Sequence, residues 1–302
     1  MIKKGVYAAA LSILNNDHSL NVDETIAHAE SLINEGLHGV FFFGSTGQSQ
    51  LISTSEKKDL IAKIGNHKLR NQFFIGTGNN SLKENIDLIK YAMEYKFRDF
   101  LIMPPAYYKG NTDEGVYNFY SLIISAVPKI KIILYNFEKL SGYKFSPAAV
   151  IKLVKKFPDN VIGCKDSSYN LYEDLKLPNF LMFPGSEAKL LKGLVLGCSG
   201  CISAVTNVTH KLSRKVFDDH ENKEPQTAND KLISVRETFD QHNLISALHG
   251  FMSINNKNYY TLLPPLMPLS KEKQKELVTE LEILDFYPNI NFLHILESTL
   301  IK

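Results

Sequence analysis

Short apolar runs alternate with longer amphipathic segments along most of this chain, and few folds accommodate that alternation. The short runs are YAAAL (7–11), GVFFFG (39–44), QFFIGTG (72–78), DFLIMPP (99–105), IKIILYN (130–136), NVIGCKD (160–166), FLMFPGS (180–186) and GCISAVTN (200–207). Each is rich in Ile, Val, Phe and Leu and apolar on both faces, the pattern of strands covered on both sides in a parallel sheet.

The intervening segments carry helix signals. One helix opens at Asn21 and stops at Gly36; Ser53 and Glu56 stand at capping-box spacing before a second; Ser81 and Glu84 repeat the arrangement before a third. Thr112 precedes a fourth, and Ser146-Pro147 starts a fifth with Pro at the first helical position. Further helices fit 187–196 and 209–221. Eight strand–helix units in about 220 residues specify an α/β fold, a closed (β/α)8 TIM barrel over residues 1–223. An open doubly wound sheet is the alternative, but its Gly-rich G-x-G-x-x-G turn does not follow the first strand. Residues 224–302 read as additional C-terminal helices: one run over 231–251, another over 270–284 beyond the prolines of LLPPLMPLS, and a short tail.

The formal net charge is +2, and Lys and Arg alternate with acids along the chain, so no nucleic-acid footprint is expected. Three cysteines, Cys164, Cys198 and Cys201, argue against a disulfide framework and for a reduced, cytoplasmic setting. Cys198 and Cys201 have redox-motif spacing, but their Gly-rich apolar surroundings suit small core residues. The opening MIKKGVYAAALSIL has the look of a signal peptide; the barrel needs it as its first strand. No apolar run approaches the roughly twenty residues that span a bilayer, so no membrane partner is expected.

Functional groups of such a barrel gather at the C-terminal ends of its strands. That rule selects Gly44, Ser45, Thr46 and Gly47 after the second run, Tyr107 and Tyr108 after the fourth, Tyr135 and Asn136 at the end of the fifth and Lys165 at the end of the sixth. Gly185, Ser186 and Glu187 follow the seventh, and Ile202 and Ser203 lie in the eighth. No His or Cys pair has metal-ligand spacing, so no metal is expected. A lysine among tyrosines, small hydroxyls and glycines suits carbonyl chemistry through an imine. A free lysine, with a pKa of about 10.4, is charged at neutral pH, and burial in an apolar strand end penalises that form. The imine then withdraws electrons from a neighbouring C–C bond. A tyrosine joined to a hydroxyl can relay the proton. Singly, Lys165 suits a solvated strand end, Tyr135 a core aromatic and Gly44–Gly47 a plain turn; their joint position at one barrel face favours the chemistry.

These residues resemble the dihydrodipicolinate synthase and N-acetylneuraminate lyase family of Schiff-base, pyruvate-handling class I aldolases. The matching motifs run in order over nearly the whole chain: GSTGQ (44–48), YYKGNTDEG (107–115), YN…SG (135–142), IGCKDSS (162–168) and GCISAVTNV (200–208). The resemblance implies that Lys165 forms the imine with pyruvate or another 2-keto acid and that Tyr135 transfers protons. Ser45 and Thr46 would relay protons and bind the carboxylate, and Tyr108 would reach a neighbouring subunit's relay. Gly185 and Ile202 match pocket-lining positions, and Gly44, Gly47, Ser186 and Ser203 are further substrate-binding candidates. It implies a homotetramer, a dimer of dimers, without cofactor beyond the covalent Schiff base on Lys165.

Departures bear on the substrate. Synthases of the family carry an arginine four residues beyond the YN motif; here Leu140 stands there and cannot supply the paired N–H fork a carboxylate takes. Glu138 replaces the usual proline and Gln48 the usual glutamate. LSG and GSTG are similar to the neuraminate lyase branch, and Ser186-Glu187 with PPLMPLS to 2-keto-3-deoxygluconate aldolases. Cleavage of a 2-keto-3-deoxy sugar acid or sialic-acid-like substrate to pyruvate and an aldehyde is expected, with Glu187 gripping substrate hydroxyls. The alternatives are dihydrodipicolinate synthase itself, condensing pyruvate with aspartate semialdehyde, and a non-catalytic binder of keto acids.

Overall fold

The computed structural model describes residues 1–287. Eight parallel strands follow one another: β1 (Gly5–Ala9), β2 (Gly39–Phe42), β3 (Phe73–Gly76), β4 (Asp99–Ile102), β5 (Lys131–Asn136), β6 (Val161–Asp166), β7 (Leu181–Pro184) and β8 (Gly200–Ser203). Their order is β7-β6-β5-β4-β3-β2-β1-β8, so consecutive strands pair from β1 to β7 and β8 returns to β1. The gap between β7 and β8 narrows where the Ser199 N–H donates to the Met182 carbonyl at 2.7 Å. The result is a nearly closed barrel. The doubly wound alternative is set aside, because no strand order reverses.

Period-two alternation divides each strand between two packed regions. Tyr7, Phe41, Phe74, Leu101, Ile133, Phe183 and Ile202 point inward and fill the barrel with Ile2. Val6, Ala8, Val40, Phe42, Ile75, Phe100, Ile102, Ile132 and Leu134 point outward into the larger core beneath the helices. This two-sided burial explains why the strands are uniformly apolar.

The helices are α1 (Val22–Asn34), α2 (Thr54–Ile64), α3 (Leu82–Glu94), α4 (Asp113–Ala126), α5 (Glu138–Ser141), α6 (Pro147–Lys156), α7 (Leu190–Val195), α8 (Thr206–Glu221), α9 (Asn229–Asp240), α10 (Leu244–Ser253) and α11 (Lys271–Ile283). Caps expected from the sequence are made: the Asn21, Ser53, Ser81, Thr112 and Ser146 side chains each accept a first-turn N–H, and Ser53 with Glu56 completes the capping box.

Three expectations are corrected, and one short helix is added. The segment 187–196 begins as a 3-10 turn, Glu187–Lys189, before α7. The helix expected from 209 starts at Thr206 and kinks at Thr209, whose hydroxyl donates back to the Val205 carbonyl at 3.0 Å. The run 231–251 is two helices, because Asn243 ends the first path and caps α10 by accepting the Ser246 N–H. Helix α5 had no periodic signal in its four residues; Gly142, at φ 73°, closes it in the left-handed conformation. The tail expected beyond 287 lies outside the described residues. Cys198 and Cys201 are buried free thiols whose pKa burial raises, as small core residues require. Among the described residues no helix is long and apolar enough to cross a membrane.

Two buried histidines tie the post-barrel helices to α1. The Asn207 amide donates to the carbonyls of Ala9 and Ala204, so its oxygen accepts from His28 Nε2 at 2.7 Å. His28 Nδ1 then accepts the Tyr259 hydroxyl at 2.9 Å, while His249 Nδ1 donates to the Tyr259 carbonyl at 2.8 Å. Burial pushes both imidazoles down to about 4. Between that value and the unfolded value of about 6.5, the unfolded chain binds protons that the folded chain refuses, so stability falls as pH falls through this window. Each histidine contributes on the order of 1–2 kcal/mol of loss by about pH 5. The melting-temperature deficit of His249→Gln should therefore narrow between about pH 7 and about pH 5; a constant deficit would contradict this assignment.

Candidate functional site

Strands β5 and β6 pair in register so that Tyr135 faces Lys165 and Asn136 faces Asp166. The first pair points into the barrel and the second out of it. Lys165 is 2 % exposed, and its Nζ lies 4.3 Å from the centroid of the Tyr135 ring. It makes no hydrogen bond or ion pair among the described residues. An amine packed on an aromatic face and free of a carboxylate partner is available to react.

The phenol continues the chain of polar groups. Tyr135 Oη and Ser45 Oγ are 2.9 Å apart, and Thr46 beside them is buried. The loop holding Ser45 rests on the end of β1. A Cβ on Gly47 would come within 2.8 Å of the Ala10 carbonyl oxygen, and the Ser12 hydroxyl donates to the Gly47 carbonyl at 2.7 Å. Gly185 has a similar reason: a Cβ there would stand 2.0 Å from Ser167 Oγ, in the turn directly after Lys165. Ile202 enters the barrel from β8. Ser45, Thr46, Tyr135, Lys165 and Ile202 thus meet at one end of the barrel, with Gly44, Gly47 and Gly185 in the loops that frame it.

Glu187 and Ser203 depart from expectation. Ser203 follows inward-pointing Ile202, so it faces outward, and its hydroxyl donates to Glu187. Glu187 is 0 % exposed and also accepts from Arg236 Nη1 at 3.2 Å. Arg236 comes from α9 and donates to Asp240 at 2.8 Å; burial opposes its charge, but Glu187 and Asp240 hold its pKa above the usual arginine value. This cluster lies behind the barrel wall. The Glu187 carboxylate braces the ends of β7 and β8 against α9 and does not stand free to grip substrate hydroxyls. Ser186 is buried and caps the 3-10 turn. Tyr108 is 73 % exposed in the loop after β4.

Two supporting groups, Asp166 and Lys57, escaped the sequence reading, and a third, Asn136, was selected by position without a role. Asp166 Oδ1 accepts from Asn136 Nδ2 at 2.8 Å and the Tyr169 N–H at 3.0 Å, and Oδ2 accepts the N–H groups of Leu171 at 2.8 Å and Tyr172 at 3.0 Å. Asn136 also accepts the Phe145 N–H at 3.0 Å. Both residues adjoin the chemical ones in the YN and KD motifs, and that adjacency was the available signal. Lys57 gave none: it is wholly buried on α2 and donates to the carbonyls of Thr77 at 3.0 Å and Gly78 at 3.2 Å and to Asn79 Oδ1 at 2.8 Å. Burial pushes its pKa down to about 8. The loop it grips continues to Asn80, which accepts the Ala106 N–H at 2.8 Å where the Tyr107-Tyr108 loop begins.

Asp166→Ala strands four donors in the interior and should cost about 3–5 kcal/mol. A denaturant titration with unchanged slope would measure it; a loss below about 1 kcal/mol would show that water replaces the carboxylate.

Comparison with known proteins follows the same outline. The model of the dihydrodipicolinate synthetase family matches residues 3–284. The 4-hydroxy-tetrahydrodipicolinate synthase of Methanococcoides burtonii is 28 % identical over 291 residues, covering 93 % of this chain and 98 % of that protein. The N-acetylneuraminate lyase of Clostridium perfringens is 28 % identical over 234 residues, covering 74 % of this chain and 79 % of the lyase. Among solved structures, the prophage protein YagE of E. coli K12, in complex with pyruvate, superposes with a TM-score of 0.86 at 23 % identity, over 95 % of this chain and all of that one.

Proposed function

We infer the activity from one established premise: the chain belongs to the dihydrodipicolinate synthetase family. It is a class I aldolase-lyase that acts on carbon–carbon bonds. The observation that carries the finer reading is the Lys165 amine, buried over the Tyr135 ring, with Tyr135 joined to Ser45.

Lys165 attacks C2 of a 2-keto acid, and the carbonyl oxygen leaves as water with one proton from the amine and one from Tyr135. The Tyr135 phenolate then takes the C4 hydroxyl proton as the C3–C4 electron pair flows toward the iminium, releasing an aldehyde. The phenol returns that proton to C3 of the enamine, and water hydrolyses the imine to free pyruvate, its surplus proton restoring the phenol. Ser45 steadies the phenol during these exchanges, and Thr46 with the backbone of the 44–47 loop binds the carboxylate. No cofactor enters this scheme.

The substrate we assign is a 2-keto-3-deoxy sugar acid or a sialic-acid-like relative. Leu140, half-exposed on α5, supports that choice, because a second substrate bearing a carboxylate would meet an apolar side chain where family synthases hold an arginine. We also propose a homotetramer in which the exposed Tyr108 reaches a neighbouring subunit's site. A coupled assay for pyruvate release across 2-keto-3-deoxy sugar acids and sialic acids tests the assignment, beside condensation of pyruvate with aspartate semialdehyde. Condensation without release would make the chain a synthase. Silence in both assays, with no borohydride-trapped pyruvate adduct, would leave only a binder and refute the reading.

A further inference from the structure

The opposite face of the barrel carries a cavity of about 400 Å³ at the N-terminal ends of β3, β4 and β5. Its lining includes Arg70, Lys96, Arg98 and Lys129, drawn from the segments before these strands, and Lys131, the first residue of β5. None of the five forms a salt bridge among the described residues. The single carboxylate in the lining, Asp99, is partly neutralised: its Oδ2 accepts the Ile2 N–H at 2.7 Å and lies 3.5 Å from the N-terminal ammonium, while its buried Oδ1 accepts no hydrogen bond among the described residues. Phe73, Phe74 and Phe97 supply an apolar floor.

Five like charges around one concavity repel one another, in a chain whose formal net charge is only +2. Two of them are held in place. Arg98 Nη1 donates to the carbonyls of Met93 at 3.0 Å and Phe97 at 2.9 Å. Arg70 Nη1 donates to the Tyr95 carbonyl at 3.2 Å, and its Nη2 to Asn71 at 3.2 Å. Their remaining N–H groups have no acceptor among the described residues, which leaves donors of the kind that bind phosphate and carboxylate. Lys131 donates to the Asp159 carbonyl, while Lys96 and Lys129 are exposed and make no hydrogen bond among the described residues.

We propose that this cavity binds a small polyanion carrying two or more phosphate or carboxylate groups, at a site separated from Lys165 by the length of the barrel. The volume lies at the small end of the range for ligand sites, which suits a compact ion rather than a large cofactor.

Calorimetric titration of the wild-type chain with pyrophosphate and with citrate, at fixed ionic strength against a chloride control, tests the proposal. Saturable binding is expected for at least one probe, and the tighter of the two identifies phosphate or carboxylate chemistry. K96Q/K129Q should weaken it at least about tenfold, since two unshielded charge contacts are lost. K155Q/K156Q removes the same charge from the end of α6 and should leave it unchanged. Absence of saturable binding, binding equalled by chloride, or equal loss in both double variants would each overturn the site.

Discussion

Lys165→Met lowers turnover on order of 10⁴-fold or more and eliminates the pyruvate adduct trapped by borohydride. The expectation rests on position as much as on chemistry. The amine occupies a buried place against an aromatic ring, without a carboxylate to satisfy it. Methionine keeps the length and the packing and removes only the nucleophile, so the barrel should fold as before. Lys165→Arg gives a second test, because it keeps a cation in the barrel and cannot form the imine. Activity in either variant above about a hundredth of wild type would mean that another group carries the chemistry.

Tyr135→Phe has the second largest effect, about 10²–10⁴-fold on kcat, the range for a positioned acid/base. Its ring still supports the Lys165 amine, so substrate affinity should change much less than turnover. The loss falls on proton transfer. Borohydride should still trap pyruvate on Lys165 in this variant, but more slowly, because departure of the carbinolamine oxygen needs a proton. A variant with normal kcat and raised KM would reduce Tyr135 to a wall of the pocket and would take Ser45, its hydrogen-bond partner at 2.9 Å, with it.

The barrel was legible because its strands are buried on both faces, which gives continuous apolar runs that a one-sided sheet lacks. Lys165, Tyr135 and Ser45 were legible for a related reason: a polar group at the end of such a run interrupts a strong pattern. Glu187 was misplaced because its position after β7 said nothing about which side of the wall its side chain takes. Its partner Arg236 lies 49 residues further on, in a helix whose spacing gave no sign of the contact. Lys57 looked like one of the charges on a solvated helix face, and only tertiary packing reveals that it reaches inward to three oxygen acceptors. The basic cavity was equally hidden, since its cations come from separate segments of a chain with balanced charge.

The pairing of β5 with β6 sets a rule for redesign. Candidate catalytic and bracing residues sit side by side in the chain yet on opposite surfaces of the sheet, Tyr135 and Lys165 within, Asn136 and Asp166 without. Deleting one residue from β6 would send the proposed nucleophile among the helices and a carboxylate into the lumen, and the same change in β5 would exchange Tyr135 for Asn136. Alterations meant to change substrate preference therefore belong in the segments that follow the strands, where length can vary while the strand phase is preserved.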